Sequence, residues 1–291
     1  MRKKTTTFDY VNHALLIGIA LMMIIPFYSV IIQSFATPKV VASQPIYLVP
    51  STLDFSAYKQ IFEGKQVWDS IGISIFVTLF GTFVNMVATM GGAYALTKKH
   101  LPGKGLIVAL VVFSMLFHGG LIPTYLTVKS LGLINDVFSM ILPVAINTYY
   151  MIIMMSFFRT IPDSLEEAAK IDGANDMRIL VQIVLPISMP MIAAIALFYA
   201  VDRWNEWWNA MLYIRDSSKY PLQLYVRELL TDIGRITNSD MALSDITEKR
   251  NLYPQGVKMA IVTVTTLPII FVYPWLQKYF GSGVMIGSLK E

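Results

Sequence analysis

ALLIGIALMMIIPFYSVIIQSF, residues 14–35, runs for 22 positions without an Asp, Glu, Lys or Arg. A helix needs about 20 such residues to cross the hydrocarbon core of a bilayer, so the stretch reads as a membrane span. Arg2, Lys3 and Lys4 precede it, as in a secretory signal. The apolar run is too long for a signal core and no small-residue cleavage site follows, so the span is read as retained.

Five further runs meet or approach that length without a charge: Ser70 to Thr97, Gly105 to Val128, Val137 to Phe158, Ile179 to Val201 and Met259 to Gln277. No water reaches that depth to satisfy backbone N–H and C=O groups, so such segments are helices or a closed barrel. A barrel needs alternating polar positions, which these runs lack. The 291-residue chain agrees as a whole: 55% of residues are hydrophobic, 14% are charged and the mean hydropathy is +0.57. The expected fold class is all-α integral membrane, with about six transmembrane helices.

Short loops set the orientation. With a cytoplasmic N-terminus, the inner segments hold Arg2, Lys3, Lys4, Lys98, Lys99, Lys104, Arg159, Lys170, Arg178, Lys278 and Lys290; the short outer loops hold only Lys39, Lys59, Lys65 and Lys129. Positive charge favours the cytoplasmic side, so both termini are expected there. Residues 1–13 then form a cytoplasmic N-terminus and 14–291 a single membrane domain, with an inner loop 159–186, outer loops 36–69 and 202–258, and an inner tail 278–291. A short helix is expected near Phe55 to Phe62. Pro221 followed by Leu222, Val226, Leu229 and Leu230 predicts an amphipathic helix, either interfacial or a docking element. The net charge of +4 and the pI near 9.0 arise from basic residues at the ends of apolar runs, a topology pattern and not a nucleic-acid footprint.

Several chemistries are disfavoured. The chain has no cysteine, and His13, His100 and His118 make no metal-ligand spacing, so no metal site is expected. No nucleophile and base are assembled, and no Gly-x-x-x-x-Gly-Lys-Ser/Thr loop is present, so the chain itself is expected neither to catalyse nor to hold ATP. An ion-coupled secondary transporter would carry acidic residues within spans and two related halves, which the sequence does not show. A multi-pass channel is not excluded by hydropathy. His118, beside Gly119 and Gly120, is read as a packing or hydrogen-bonding residue. Pro26, Pro123, Pro143, Pro186, Pro190, Pro268 and Pro274 are read as kinks, and Gly81, Gly91 and Gly92 as points of close helix approach. At the end of the fifth run Asp202, Arg203 and Glu206 stand among Trp204, Trp207 and Trp208. Charges at that depth point to function, and aromatic faces suit sugar stacking, but Trp at a boundary also makes an interface belt.

The inner loop is built like a folded element. It reads RTIPDSLEEAAKIDGANDMR over residues 159–178 and runs into Ile183, Leu185 and Pro186. Ser164 and Glu167 have capping-box spacing, Leu165 to Ile171 favour helix, Gly173 supplies a turn, and Asn175 or Asp176 can cap a second helix. A short helix on the cytoplasmic face can dock in a partner's groove.

Glu167-Ala168-Ala169, then Asp172-Gly173-Ala174, then Ile183 with Leu185-Pro186, resembles the EAA loop of permeases of binding-protein-dependent ABC importers. The whole chain is similar to the carbohydrate permeases of the maltose-transporter type, including Trp204-Asn205-Glu206-Trp207 and the Gly-rich tail from Gly281 to Lys290. The segment from His118 to Tyr125 is similar to the branch serving oligosaccharides such as pectin fragments.

The resemblance implies a type I importer permease fold in a bacterial cytoplasmic membrane, working by alternating access. Two cytoplasmic ATPase subunits would bind ATP and Mg, a second homologous permease would complete a heterodimer, and an extracytoplasmic solute-binding protein would deliver a sugar or oligosaccharide to loop 202–258. Glu167, Ala168, Ala169, Asp172, Gly173, Ala174, Leu185 and Pro186 would couple to the ATPase, with Glu167 meeting a basic residue and Gly173 the pivot. Gly283, Gly287 and Lys290 would touch the ATPase from the tail. Trp204, Asn205, Glu206 and Trp207 would border the substrate path.

Overall fold

A computed structural model describes residues 6–37, 53–238 and 254–283, and every regular element among them is helical. The chain forms two compact units, residues 1–67 with 226–268, and residues 68–225 with 269–291.

In the first unit, α1 (Thr7–Gln33) starts upstream of the charge-free run because the Asp9 carboxylate accepts from the Thr6 N–H at 2.7 Å and the Thr6 hydroxyl at 2.9 Å. None of its side chains is buried. At its far end the Ser34 and Tyr58 hydroxyls meet at 2.6 Å and Phe35 stacks on Tyr58, with ring centroids 4.9 Å apart. These contacts tie α1 to α2 (Ser56–Glu63), the short helix expected near Phe55 to Phe62. Val257, Ala260 and Ile261 of α13 (Pro254–Gly283) are buried.

The second unit is threaded by α3 (Lys65–Thr97), a continuous helix of 33 residues. Three of the expected spans are not straight. α4 (Lys104–Leu116) and α5 (Leu121–Ser130) meet at 117°. The bend uses Gly120 at φ +88°, a conformation that glycine alone adopts freely. Pro123 lies in the first turn of α5, where its missing N–H has no helical partner to lose. His118 is exposed in this bend instead of packed inside a span. Two 3₁₀ turns (Val137–Met140 and Leu142–Val144) precede α6 (Thr148–Phe158) at 49°. There the Asn147 side chain accepts from the Tyr149 and Tyr150 N–H groups at 3.0 and 3.3 Å and restarts the helix. α8 (Asp176–Ile179), a π turn (Leu180–Val184) and α9 (Leu185–Ile187) meet α10 (Met189–Trp204) at 86°. Among the described residues only α1 and α3 are long and apolar enough to cross a membrane as single helices; with each bent pair taken as one span the number is five, and the described apolar part of α13, Gly256–Phe271, is shorter. Hydropathy measures the length of an apolar run and is blind to its direction.

The principal core joins Met86, Ala93, Tyr94 and Leu96 of α3, Met151, Met154, Met155 and Phe158 of α6, and Ile195 and Tyr199 of α10. Lipid is as apolar as these side chains, so close packing, more than burial from water, holds such helices together. Gly92 fits this requirement, since a Cβ there would lie 3.0 Å from the Met151 sulfur. Gly91 has nothing within 4 Å and makes no such approach.

Candidate functional site

The inner loop folds into α7 (Asp163–Ile171), a turn, and α8. Pro162, with ψ 131°, occupies the N-cap, which places Ser164 inside the first turn; the capping box expected of Ser164 and Glu167 does not form. The C-terminal end matches its expectation closely. Gly173 sits at φ +80°, its N–H donates to the Lys170 carbonyl at 3.0 Å and the Ala174 N–H to the Ala169 carbonyl at 2.9 Å, the Schellman pattern. Asn175, and not Asp176, caps α8 by accepting the Arg178 N–H at 2.8 Å.

The loop has a held face and an open face. Ala169 is the sole buried residue of α7 and enters the principal core, against which Ala174 and Leu185 also pack. Glu167, Ala168, Asp172, Gly173 and Pro186 are exposed. So are three apolar side chains beside them: Leu165, Ile171 at 86% and Met177 at 66%. A short helix that exposes small residues, two carboxylates and uncovered apolar side chains has the chemistry that suits docking.

Two lysines after α3, which sequence reasoning passed over as topology markers, carry the attachment. Lys98 Nζ donates to Glu166 at 2.6 Å and to the Tyr94 hydroxyl at 2.5 Å, and lies 3.8 Å from Asp176. Lys99 pairs with Asp163, and Lys170 lies 3.5 Å from Asp176. Burial works against the Lys98 ammonium, but its hydrogen bonds to Glu166 and Tyr94 prevail and push its pKa up. The Asp163 carboxyl is pulled down by its hydrogen bond and charge interaction with Lys99, which is pushed up in return. Partners more than 60 residues apart leave no spacing signal in the sequence.

The second cluster lies where α10 ends. The expected fifth span stopped at Val201, but α10 continues through Asp202 and Arg203. Arg203 is buried, donates to the Met140 carbonyl at 2.7 Å and pairs with buried Glu206 at 3.4 Å. Gly81 makes room for it, since a Cβ there would stand 3.0 Å from Arg203 Cδ. Glu206 also accepts from the Asn209 N–H and side-chain amide, both at 2.9 Å, opening α11 (Trp208–Tyr213). Trp207 packs on the cluster of Val77, Met140, Ile141, Ala210, Ile214 and Leu224. Of the four residues assigned to a substrate path, Glu206 and Trp207 are thus engaged internally, Trp204 is half-buried and Asn205 exposed. One turn earlier, the Tyr150 hydroxyl donates to Asp202 at 3.1 Å. Pro221 precedes α12 (Leu222–Asn238), whose first N–H donates to the Ser74 hydroxyl at 2.7 Å. Gly283 ends α13, while Gly287 and Lys290 lie outside the described residues.

Broken apolar helices around a packed core, with a capped helical loop between two of them, are the architecture of a multi-span membrane protein. The chain belongs to the family of binding-protein-dependent transport system inner membrane components, whose model matches residues 9–286. It is 44% identical to the polygalacturonan/rhamnogalacturonan transport system permease protein YtcP of Bacillus subtilis, over 99% of both chains. It is equally similar to protein LplC of the same organism, over 99% of this chain and 96% of that one. A crystal structure of a bacterial ABC transporter involved in import of the acidic polysaccharide alginate has a chain that superposes with a TM-score of 0.86 at 34% identity, covering 94% of this chain and 96% of that one. The fold is that of a type I ABC importer permease.

Proposed function

We propose that this chain is one permease subunit of an ATP-driven importer of oligosaccharides released from acidic plant or algal polysaccharides. The observation that carries the substrate class is the 44% identity, end to end, to a permease named for polygalacturonan and rhamnogalacturonan transport. The alginate-importer structure supports the same class.

In this reading both termini are cytoplasmic, the membrane is the bacterial cell membrane, and the chain performs no covalent chemistry. ATP and Mg belong to two partner ATPase subunits. The exposed face around Glu167, Ala168, Asp172 and Gly173, with Ile171 and Met177, seats in an ATPase groove. Gly283, Gly287 and Lys290 add a tail contact. Closure of the ATPases drives the loops of this chain and of a second, homologous permease together, opening the path to a loaded binding protein; hydrolysis resets it. Asn205, exposed where α10 ends, is the candidate on the path.

Mild-detergent purification from the native membrane, followed by uptake of labelled oligogalacturonides into reconstituted vesicles, tests the proposal. Co-purification of an ATPase and a second permease, with ATP-dependent uptake, is expected. Recovery of the chain alone, with uptake following an ion gradient, overturns it.

A further inference from the structure

α7 is attached to the rest of its unit by little. One small side chain, Ala169, enters the core, and two ion pairs, Lys98 to Glu166 and Lys99 to Asp163, tie the helix to the preceding inner segment. The two tethers are unequal. The Lys99 and Asp163 side chains are 75% and 65% exposed, where an ion pair is worth little. Those of Lys98 and Glu166 are 21% and 25% exposed, and their contact is a charge-assisted hydrogen bond at 2.6 Å.

Lys98 is itself fixed from every side. Its Nζ lies over the Tyr94 ring, 3.9 Å from the ring centroid, and donates to the Tyr94 hydroxyl one helical turn back. Its backbone carbonyl and that of Thr97 accept from Lys104 Nζ at 3.1 and 2.9 Å, which caps the α3 C-terminus. Its ammonium also faces Asp176, so one cation holds carboxylates from both sides of the exposed Gly173 turn. An apolar contact slides under load; a directed ammonium–carboxylate bond between two helix ends holds its register.

We propose that Lys98 is a positioning residue for energy coupling: with Glu166 and Asp176 it forms a polar strut that transmits displacement of α7 to the end of α3. The strut rests on the reading of α7 as the ATPase-docking helix. α3 is one uninterrupted helix of 33 residues, about 50 Å long at 1.5 Å per residue, so a push at Lys98 reaches its far end without crossing a break. α4, α6 and α10 each pair with another segment across a bend. Glu167, one residue along, is exposed and takes no part in the strut.

The test compares the intact assembly carrying Lys98→Met, Lys98→Arg, Glu166→Gln or Lys99→Met in vesicles, reading sugar uptake and ATP hydrolysis together. Lys98→Met, which loses the bond outright, should leave the ATPase bound and hydrolysing with uptake per ATP down at least about tenfold, the equilibrium factor for a hydrogen bond to a charged group. Glu166→Gln, which keeps an acceptor oxygen for Lys98 but not the charge, should lower the ratio by a smaller factor. Lys98→Arg should restore the ratio and Lys99→Met should leave it unchanged. Glu166→Gln is nearly isosteric and keeps the comparison meaningful should Lys98→Met not assemble. An unchanged ratio in Glu166→Gln, or loss of the ATPase from that assembly, overturns the strut while leaving the importer reading in place. Absence of ATP-dependent uptake by the unaltered assembly overturns that reading, and the strut with it.

Discussion

Replacing Gly173 separates backbone strain from contact, because a Cβ at this position would meet nothing within 4 Å. With φ at +80°, Gly173→Ala costs only the left-handed conformation, about 1–2 kcal/mol. That is roughly a 5- to 30-fold loss in population of the native turn. Gly173→Pro is far worse. It fixes φ near −65°, deletes the N–H that donates to the Lys170 carbonyl, and disfavours the near-helical Asp172 at φ −76°, ψ 6°, for a local cost above about 3 kcal/mol. Membrane insertion should be unaffected, since the turn lies outside every apolar run. The assay is co-purification of the ATPase and ATP-dependent uptake for the native residue, alanine and proline. A graded loss is expected, with Ala partly active and Pro inactive. Native uptake and co-purification by Gly173→Pro would refute the assignment of this turn to coupling.

Arg203→Met leaves Glu206 buried without its cation, which should cost about 3–5 kcal/mol and appear as a lower thermal midpoint of the detergent-solubilised chain. Tyr199→Phe removes the hydroxyl that meets Thr89 at 2.7 Å and accepts the Asn147 N–H at 2.9 Å, stranding buried groups at about 1–3 kcal/mol in the same measurement. The attachment of α7 should also depend on pH. Asp163 is depressed, so its contribution is complete above the ordinary carboxylate range and is lost as pH falls through its lowered value; Lys99 is raised, so its share is complete below the ordinary lysine range and lost as pH rises through its raised value. Because that pair is largely exposed, amide exchange across residues 165–171 should quicken only slightly as pH falls through the Asp163 value, and Lys99→Met should remove that acid step. At the alkaline end the larger loss should follow the raised Lys98, the stronger tether, and survive Lys99→Met.

Legibility followed range along the chain. α2, the α7 helix, the Gly173 turn and the Asn175 cap were readable because each is decided within four or five residues by propensity, φ and a local hydrogen bond. The capping box failed on the same scale: Ser164 and Glu167 have the spacing, but Pro162 had already taken the cap. Kinks were expected at Pro123, Pro143, Pro186 and Pro190, which flank the three bends, but the size of the bends was hidden because Gly120, Asn147 and Ser188 sit inside apolar runs that satisfy any hydropathy criterion. Lys98 with Glu166, and Arg203 with the Met140 carbonyl, join positions more than 60 residues apart. The charges were visible as topology markers and as a costly cluster, while their partners depended on the packing of α3, α6 and α10.

The π turn at Leu180–Val184 carries one more residue than an ordinary helical turn would hold. Each residue advances a helix by about 100°, so dropping one residue here would rotate everything downstream by that amount against everything upstream. Ile195 and Tyr199 would leave the core they now fill, and Arg203 would swing away from Gly81. This stretch therefore tolerates exchange of one apolar side chain for another far better than any change in its length, and related chains should differ here in spelling while keeping the count.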